Sequence, residues 1–165
     1  MSVDNTRSTL INWLQEAHAM VEHGETMMSG RADALEAYPK LRDKLRAHVA
    51  ETRHHGADIK SAIERLGAHT SAAKDIGGKL SALGHSWGTR LSGETAVQSV
   101  AASLAFEHFE IANFRAMITA ADQAGEAEVR ATLESIMREN EAMAHWLSEN
   151  LLDTTRQYLA KAPAD

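Results

Sequence analysis

An all-α four-helix bundle is the fold that this sequence predicts, and two observations indicate it. Helix-favouring residues, mainly Ala, Leu, Glu, Met and Arg, dominate the chain, whereas the alternating Val, Ile and Thr runs of strands are absent. Only two prolines occur, Pro39 and Pro163, so long segments of helical periodicity continue without a break. A length of 165 residues suits a single domain with a substantial core, which we expect to cover residues 1–165.

The first two helices are bounded by breaking residues. The first helix should extend from about Ser8 to Met28 and be followed by a short link at residues 30–33. The second should begin at Pro39, because proline suits the first turn of a helix, and should stop at Gly67. A short link predicts that these two helices are antiparallel neighbours.

The second pair of helices is separated from the first by a long segment. A glycine-rich crossover is expected over about residues 68–93, and the third helix should start near residues 92–94 and end before Gly125. The fourth helix should cover about residues 126–159, with a frayed tail at 160–165. Two short links flanking one long crossover are typical of ferritin-like bundles.

Charge and composition exclude several classes of protein. The net charge of −6 argues against nucleic acid and anionic membranes as partners. The chain has no cysteine, which excludes disulfides, zinc–thiolate sites and thiol nucleophiles. Its first residues lack the basic and apolar regions of a signal peptide, and no apolar run is long enough to span a bilayer, so we expect a cytoplasmic protein.

The third helix contains the most informative stretch, Glu107-His108-Phe109-Glu110. On a helical projection, Glu107 falls in the middle of the apolar face and Glu110 on its shoulder, among Val97, Val100, Leu104, Ile111, Phe114 and Ile118. Two buried carboxylates within one turn repel each other and need a compensating cation or proton. The pattern therefore predicts a metal site to which both glutamates contribute.

The second helix offers a matching polar group with two alternative sets of ligands. Glu51 and His54 have the Glu-x-x-His spacing of a dinuclear metal site. The helical projection instead places His48 and His55 on the apolar face, with Glu51 at its edge and His54 pointing away. We favour the projection, because a ligand must face the interior. The alternative interpretation is that the two histidines are core residues hydrogen-bonded to carboxylates.

These motifs resemble the YciF-like branch of the ferritin-like superfamily. The resemblance rests on His48-x-x-Glu51-Thr52, on Glu64-Arg65-Leu66-Gly67 and on Glu107-His108-Phe109-Glu110-Ile111-Ala112. It covers the second and third helices well and, with gaps, the whole chain. The resemblance implies a four-helix bundle, a di-iron type carboxylate site and a link to bacterial stress responses.

The first and fourth helices depart from that family. The residue that matches the family's glutamate on the first helix is Glu22, yet it projects well outside the apolar stripe. On the fourth helix Asn140 lies mid-stripe, where a carboxylate would be expected, and Glu139 lies at the edge. A neutral asparagine is a poor ligand for trivalent iron but can hydrogen-bond a buried glutamate.

Two hypotheses of function follow from the sequence. The first is a carboxylate-bridged di-metal protein, with iron or manganese, that handles oxygen or peroxide. Its candidate ligands are Glu22, His48, Glu51, His55, Glu107 and Glu110. The second is a degenerate, non-enzymatic bundle that acts by dimerisation or by binding another partner. A homodimer is expected under either hypothesis.

Overall fold

The computed structural model describes residues 3–70 and 95–161, which contain four long α-helices and no strand. The helices are α1 (Val3–Asp33), α2 (Pro39–Arg65), α3 (Ala96–Gln123) and α4 (Ala127–Lys161). The predicted all-α bundle is confirmed. The expected crossover lies outside the described residues except for 68–70, and so does the expected tail except for 160–161.

The first helix is longer than predicted at both ends. The link expected at residues 30–33 is wrong, because Gly30 and the residues after it continue α1 as far as Asp33. A single glycine weakens a helix by only about 1 kcal/mol relative to alanine. The side chains of Ala32 and Leu35 are buried, which offsets that loss and holds the last turn against the core.

The other boundaries agree closely with the expected breakers. Pro39 occupies the first turn of α2, and Gly67 ends that helix region with a φ of 72°. Gly125, with a φ of 73°, separates α3 from α4. Both glycines adopt the left-handed region that other residues rarely enter, so each stops a helix as expected. Thr95 caps α3 by accepting a hydrogen bond from the Gln98 backbone N–H at 3.2 Å.

Contacts between helices establish their directions. Near the start of α1, Arg7 pairs with Glu126 just after α3, at 2.9 Å. Near the other end of α1, Arg31 lies 3.5 Å from Ser103 in the first part of α3. The first and third helices are therefore antiparallel. Because α1 and α2 form one hairpin, the end of α2 and the start of α3 lie at opposite ends of the bundle, as the predicted connectivity requires.

The core consists of two apolar clusters at the two ends of the bundle, separated by a polar layer. One cluster is centred on Leu14, Ile63, Phe114 and Leu133. The other is centred on Met28, Leu45, Val100 and Leu147. Buried polar side chains of α2, α3 and α4 occupy the level between them. Within the described residues, no helix is apolar over a length that would cross a membrane.

Candidate functional site at the centre of the bundle

Among the described residues, five buried ionisable or amide side chains lie in the polar layer, and they come from three helices. Exposed fractions range from 0% to 3% for His48 and His55 on α2, Glu107 and Glu110 on α3, and Asn140 on α4. Burying such groups is unfavourable unless each finds a compensating partner. We refer to these five residues as the central polar cluster.

His48 connects two carboxylates in this cluster. Its Nδ1 lies 2.9 Å from Glu51 Oε2, one turn along α2, and its Nε2 lies 3.0 Å from Glu107 Oε1 on α3. Burial disfavours the charged imidazolium, but the contacts with Glu107 and then Glu51 outweigh it and raise the pKa of His48 above 6.5. The arrangement therefore favours an imidazolium between two carboxylates.

Glu110 is neutralised in a different way. Burial and the neighbouring charge of Glu107 raise the pKa of Glu110 well above 4.5, and a hydrogen bond from Asn140 only partly opposes them. In that bond, Asn140 Nδ2 donates to Glu110 Oε2 at 3.0 Å. Two adjacent buried carboxylates are unfavourable when both are ionised, so burial and Glu107 together favour the protonated form of Glu110.

His55 connects α2 with α4 at the level of this cluster. Its Nε2 lies 2.9 Å from Glu139 Oε2, whose side chain is half-exposed at the edge of the cluster. The rings of His48 and His55 are 6.4 Å apart and nearly perpendicular. His54 is exposed, so the helical projection predicted the buried histidines correctly and the Glu51-x-x-His54 spacing did not. The role of Glu139 was only weakly indicated, by its position at the edge of the α4 stripe.

The first helix contributes a glycine to this level of the bundle. Glu22, the predicted ligand from α1, is exposed and lies 3.6 Å from His18, so the structure does not bring it into the central polar cluster. The residue beside the cluster is Gly24, where a Cβ would lie 3.7 Å from Glu110 Oε1. The same Cβ would lie 2.6 Å from Phe106 Cε1, so the aromatic ring occupies the space of a side chain. Nothing in the sequence indicated that Phe106 would be the neighbour of Gly24.

Several polar atoms of the cluster lack a hydrogen bond from the described residues. They are both carboxylate oxygens of Glu107, Oε1 of Glu110 and Oδ1 of Asn140. The contact between Glu107 Oε1 and His48 has the distance of an ion pair but not the alignment of a hydrogen bond. Such acceptors are able to hold protons or a cation. Which of the two they suit depends on the other side chains available as metal ligands.

The donor set does not fit a dinuclear metal centre. Such a centre in a four-helix bundle takes one glutamate from each of two helices and a Glu-x-x-His pair from each of the other two. Here α1 presents Gly24 and α4 presents Asn140, while Glu51 is half-exposed. Across residues 3–70 and 95–161, no three histidine or carboxylate side chains converge closely enough to hold a metal ion.

Comparison with known structures supports the fold and the family. A protein from Xanthomonas campestris pv. campestris is 33% identical, with a TM-score of 0.82, and the match covers 95% of this chain and 97% of that one. The stress protein YciF of E. coli is 17% identical, with a TM-score of 0.76 and coverage of 94% and 98%. The bacterioferritin of Desulfovibrio desulfuricans, whose structure describes a diiron site, is 15% identical, with a TM-score of 0.75 and coverage of 100% and 94%.

The two less similar structures show the ferritin-like fold, which confirms the predicted bundle type. A family model described as "Domain of unknown function (DUF892)" matches residues 5–160, nearly the whole chain. Together with the YciF likeness, this match confirms the resemblance stated from the motifs of α2 and α3. The chain belongs to the DUF892 family, and its fold is the ferritin-like four-helix bundle.

Proposed function

We propose that this chain is a non-enzymatic ferritin-like bundle that acts by binding another chain. The observation that carries the proposal is the hydrogen bond from Asn140 to Glu110, at 3.0 Å and fully inside the bundle. An amide donor stands beside the carboxylate, where a metal site would supply a cation. This supports the second of the two hypotheses drawn from the sequence.

The charges of the central polar cluster are balanced by groups of the chain itself. The imidazolium of His48 compensates Glu107, while the Asn140 amide donates a hydrogen bond to Glu110, whose raised pKa favours the uncharged form. A buried charge that has such partners does not require a metal ion to make folding favourable. A bundle stabilised in this way keeps the ferritin-like shape without supplying oxidation–reduction chemistry.

The partner that we propose is a second copy of the chain, in a cytoplasmic protein linked to stress responses. The E. coli neighbour is a stress protein, and the structure of the bacterioferritin neighbour describes a diiron site. The net charge of −6 argues against nucleic acid and anionic membranes as the alternatives. Sedimentation over a range of concentrations should detect a dimer, and a monomer at every concentration would contradict this part of the proposal.

A di-metal protein that uses iron or manganese to handle oxidants is the second candidate. Four polar atoms without hydrogen-bond partners from the described residues favour it, because unpaired oxygens on Glu107 and Glu110 suit a hard cation. In that case Glu107 and Glu110 would be ligands from α3, and rotation of Glu51 and His55 would have to complete the set. The cation would supply a Lewis acid that cycles between oxidation states.

Metal content separates the two candidates. Protein purified after growth with iron and with manganese is analysed for both metals, for the wild type and for Glu107→Gln. We expect no stoichiometric metal in either protein and no rise in Tm when Fe²⁺ or Mn²⁺ is added without oxygen. Glu22→Gln is the matched control, since Glu22 is exposed on α1. Stoichiometric metal in the wild type and the control, but not in Glu107→Gln, would establish the metal protein instead.

A further inference from the structure

Asn140 on α4 faces the carboxylate of Glu110 on α3. Its side chain is fully buried, and its Nδ2 makes the hydrogen bond to Glu110. Its Oδ1 has no hydrogen-bond partner from the described residues, and neither has Glu110 Oε1. The amide therefore satisfies one carboxylate oxygen of Glu110, while the other oxygen of Glu110 and the amide oxygen itself remain without a partner from the described residues.

Asparagine and aspartate have side chains of the same length and nearly the same shape, so exchanging one for the other at position 140 changes mainly the charge. An aspartate in place of Asn140 would put a second carboxylate oxygen about 3 Å from Glu110 Oε2, in a site without access to bulk water. Together with Glu107, three carboxylates would then share one buried layer. Such a group must take up protons or a cation, and divalent Mn²⁺ prefers oxygen ligands of this type.

We propose that Asn140 is the residue that excludes a divalent cation from the central polar cluster, and that a carboxylate in its place opens the cluster to one. The proposal rests on the proposed function, in which the wild-type cluster holds no metal. Asn140 Nδ2 donates to Glu110 Oε2, so an amide hydrogen already occupies the place at this oxygen that a cation would take. On the α1 side of Glu110, Gly24 has no side chain that could act as a ligand.

The test compares the full-length wild type with Asn140→Asp, using Mn²⁺ alone as the probe. Calorimetric titration and Tm are measured at neutral pH, in the absence of chelating buffers. We expect Asn140→Asp to bind Mn²⁺ at least about tenfold more tightly than the wild type, and its Tm to rise with the Mn²⁺ concentration by mass action. Glu107→Gln in the Asn140→Asp background should abolish both effects.

A matched control separates charge from loss of the amide. Asn140→Leu removes the hydrogen bond to Glu110 without adding an anion, so it should not gain affinity for Mn²⁺. If Asn140→Leu gains as much affinity as Asn140→Asp, the proposed role of the added carboxylate is overturned.

The outcomes also distinguish this inference from the proposed function. Tight binding of Mn²⁺ by the wild type would overturn the proposed function, whereas absence of binding in both the wild type and Asn140→Asp would overturn the inference alone. If Asn140→Asp is unfolded at neutral pH, its helix content is measured by circular dichroism with and without Mn²⁺. Refolding on addition of Mn²⁺ supports the inference, and a chain that stays unfolded overturns it.

Discussion

His48 on α2 and Glu107 on α3 form a buried ion pair, 3.0 Å between Nε2 and Oε1, with side chains that are 1% and 0% exposed. It links two helices that belong to different hairpins of the bundle. Charges so far from water interact strongly, and the loss of one partner leaves the other uncompensated. The free energy of unfolding should therefore fall more when one partner is replaced than when both are replaced.

Removing the histidine alone should be strongly destabilising. We expect His48→Leu to lower the free energy of unfolding by about 3–5 kcal/mol, because Glu107 remains buried without a cation. Urea denaturation followed by circular dichroism measures the change. His54→Leu is the control on the same helix, and since His54 is exposed, it should change stability by no more than about 0.5 kcal/mol. Equal losses in the two variants would show that His48 does not compensate a buried charge.

Removing both partners should recover most of that loss. Buried ion pairs replaced by apolar residues of similar volume are often neutral in stability or better. We expect His48→Leu combined with Glu107→Leu to be more stable than His48→Leu alone by about 2 kcal/mol or more. A double variant as unstable as the single one would mean that the geometry of the pair, and not its charge, is what the fold needs.

Glu110 should make the protein less stable as the pH rises. Its folded pKa is raised above 4.5 by burial and by Glu107, so the native state binds more protons than the unfolded state above that pH. The contribution to stability is complete below pH 4.5 and is lost as the pH rises through the folded pKa, at up to about 1.4 kcal/mol per pH unit. His48 acts in the same direction, but its contribution is complete up to pH 6.5 and is lost only at higher pH.

Between pH 4.5 and 6.5 the contribution of His48 is constant, so the contribution of Glu110 is best compared between variants in this window. Urea denaturation across it should give a smaller decline for Glu110→Gln than for the wild type, because glutamine imitates the protonated side chain. Parallel curves for the two proteins would contradict a raised pKa at Glu110.

Two glycines of α1 should respond in opposite ways to the same substitution. A Cβ at Gly24 would lie 2.6 Å from the Phe106 ring, whereas a Cβ at Gly30 would have no neighbour within 4 Å. We expect Gly30→Ala to raise the free energy of unfolding by about 1 kcal/mol through helix propensity alone. Gly24→Ala should lower it by about 1 kcal/mol, because displacement of the ring outweighs the same gain. Thermal unfolding of both variants measures the difference, and a stabilised Gly24→Ala would show that Phe106 moves aside freely.

The periodicity of apolar residues predicted the fold and most of the interior. Helical projections placed Glu107 and Asn140 in the middle of their stripes, and both are fully buried. Pro39, Gly67 and Gly125 predicted helix ends because each restricts the backbone locally. The end of α1 was mispredicted since burial of Ala32 and Leu35, a property of the folded bundle, outweighs the effect of Gly30.

The partners inside the bundle were less accessible to sequence reasoning. Projection of one helix shows which side chains face inward, but not which side chain of another helix they meet. The pairing of Glu110 with Asn140 depends on the relative heights of α3 and α4 along the bundle. The pairing of Glu107 with His48 depends in the same way on the relative heights of α2 and α3. The contact of Gly24 with Phe106 depends likewise on how α1 packs against α3. Whether the predicted ligands bind a metal stays a prediction that only the proposed measurements test.

The polar layer lies where the α1–α2 and α3–α4 hairpins meet, and this affects how the chain reaches its native state. Each hairpin forms largely from contacts between neighbouring segments, whereas joining the two requires closure of a long loop. A slip of one helical turn would move one hairpin along the other by about 5.4 Å. Such a slip would leave Glu107 and Glu110 among aliphatic side chains, away from His48 and Asn140. The buried carboxylates thus favour one alignment of the two hairpins, because arrangements displaced by one helical turn would be less stable.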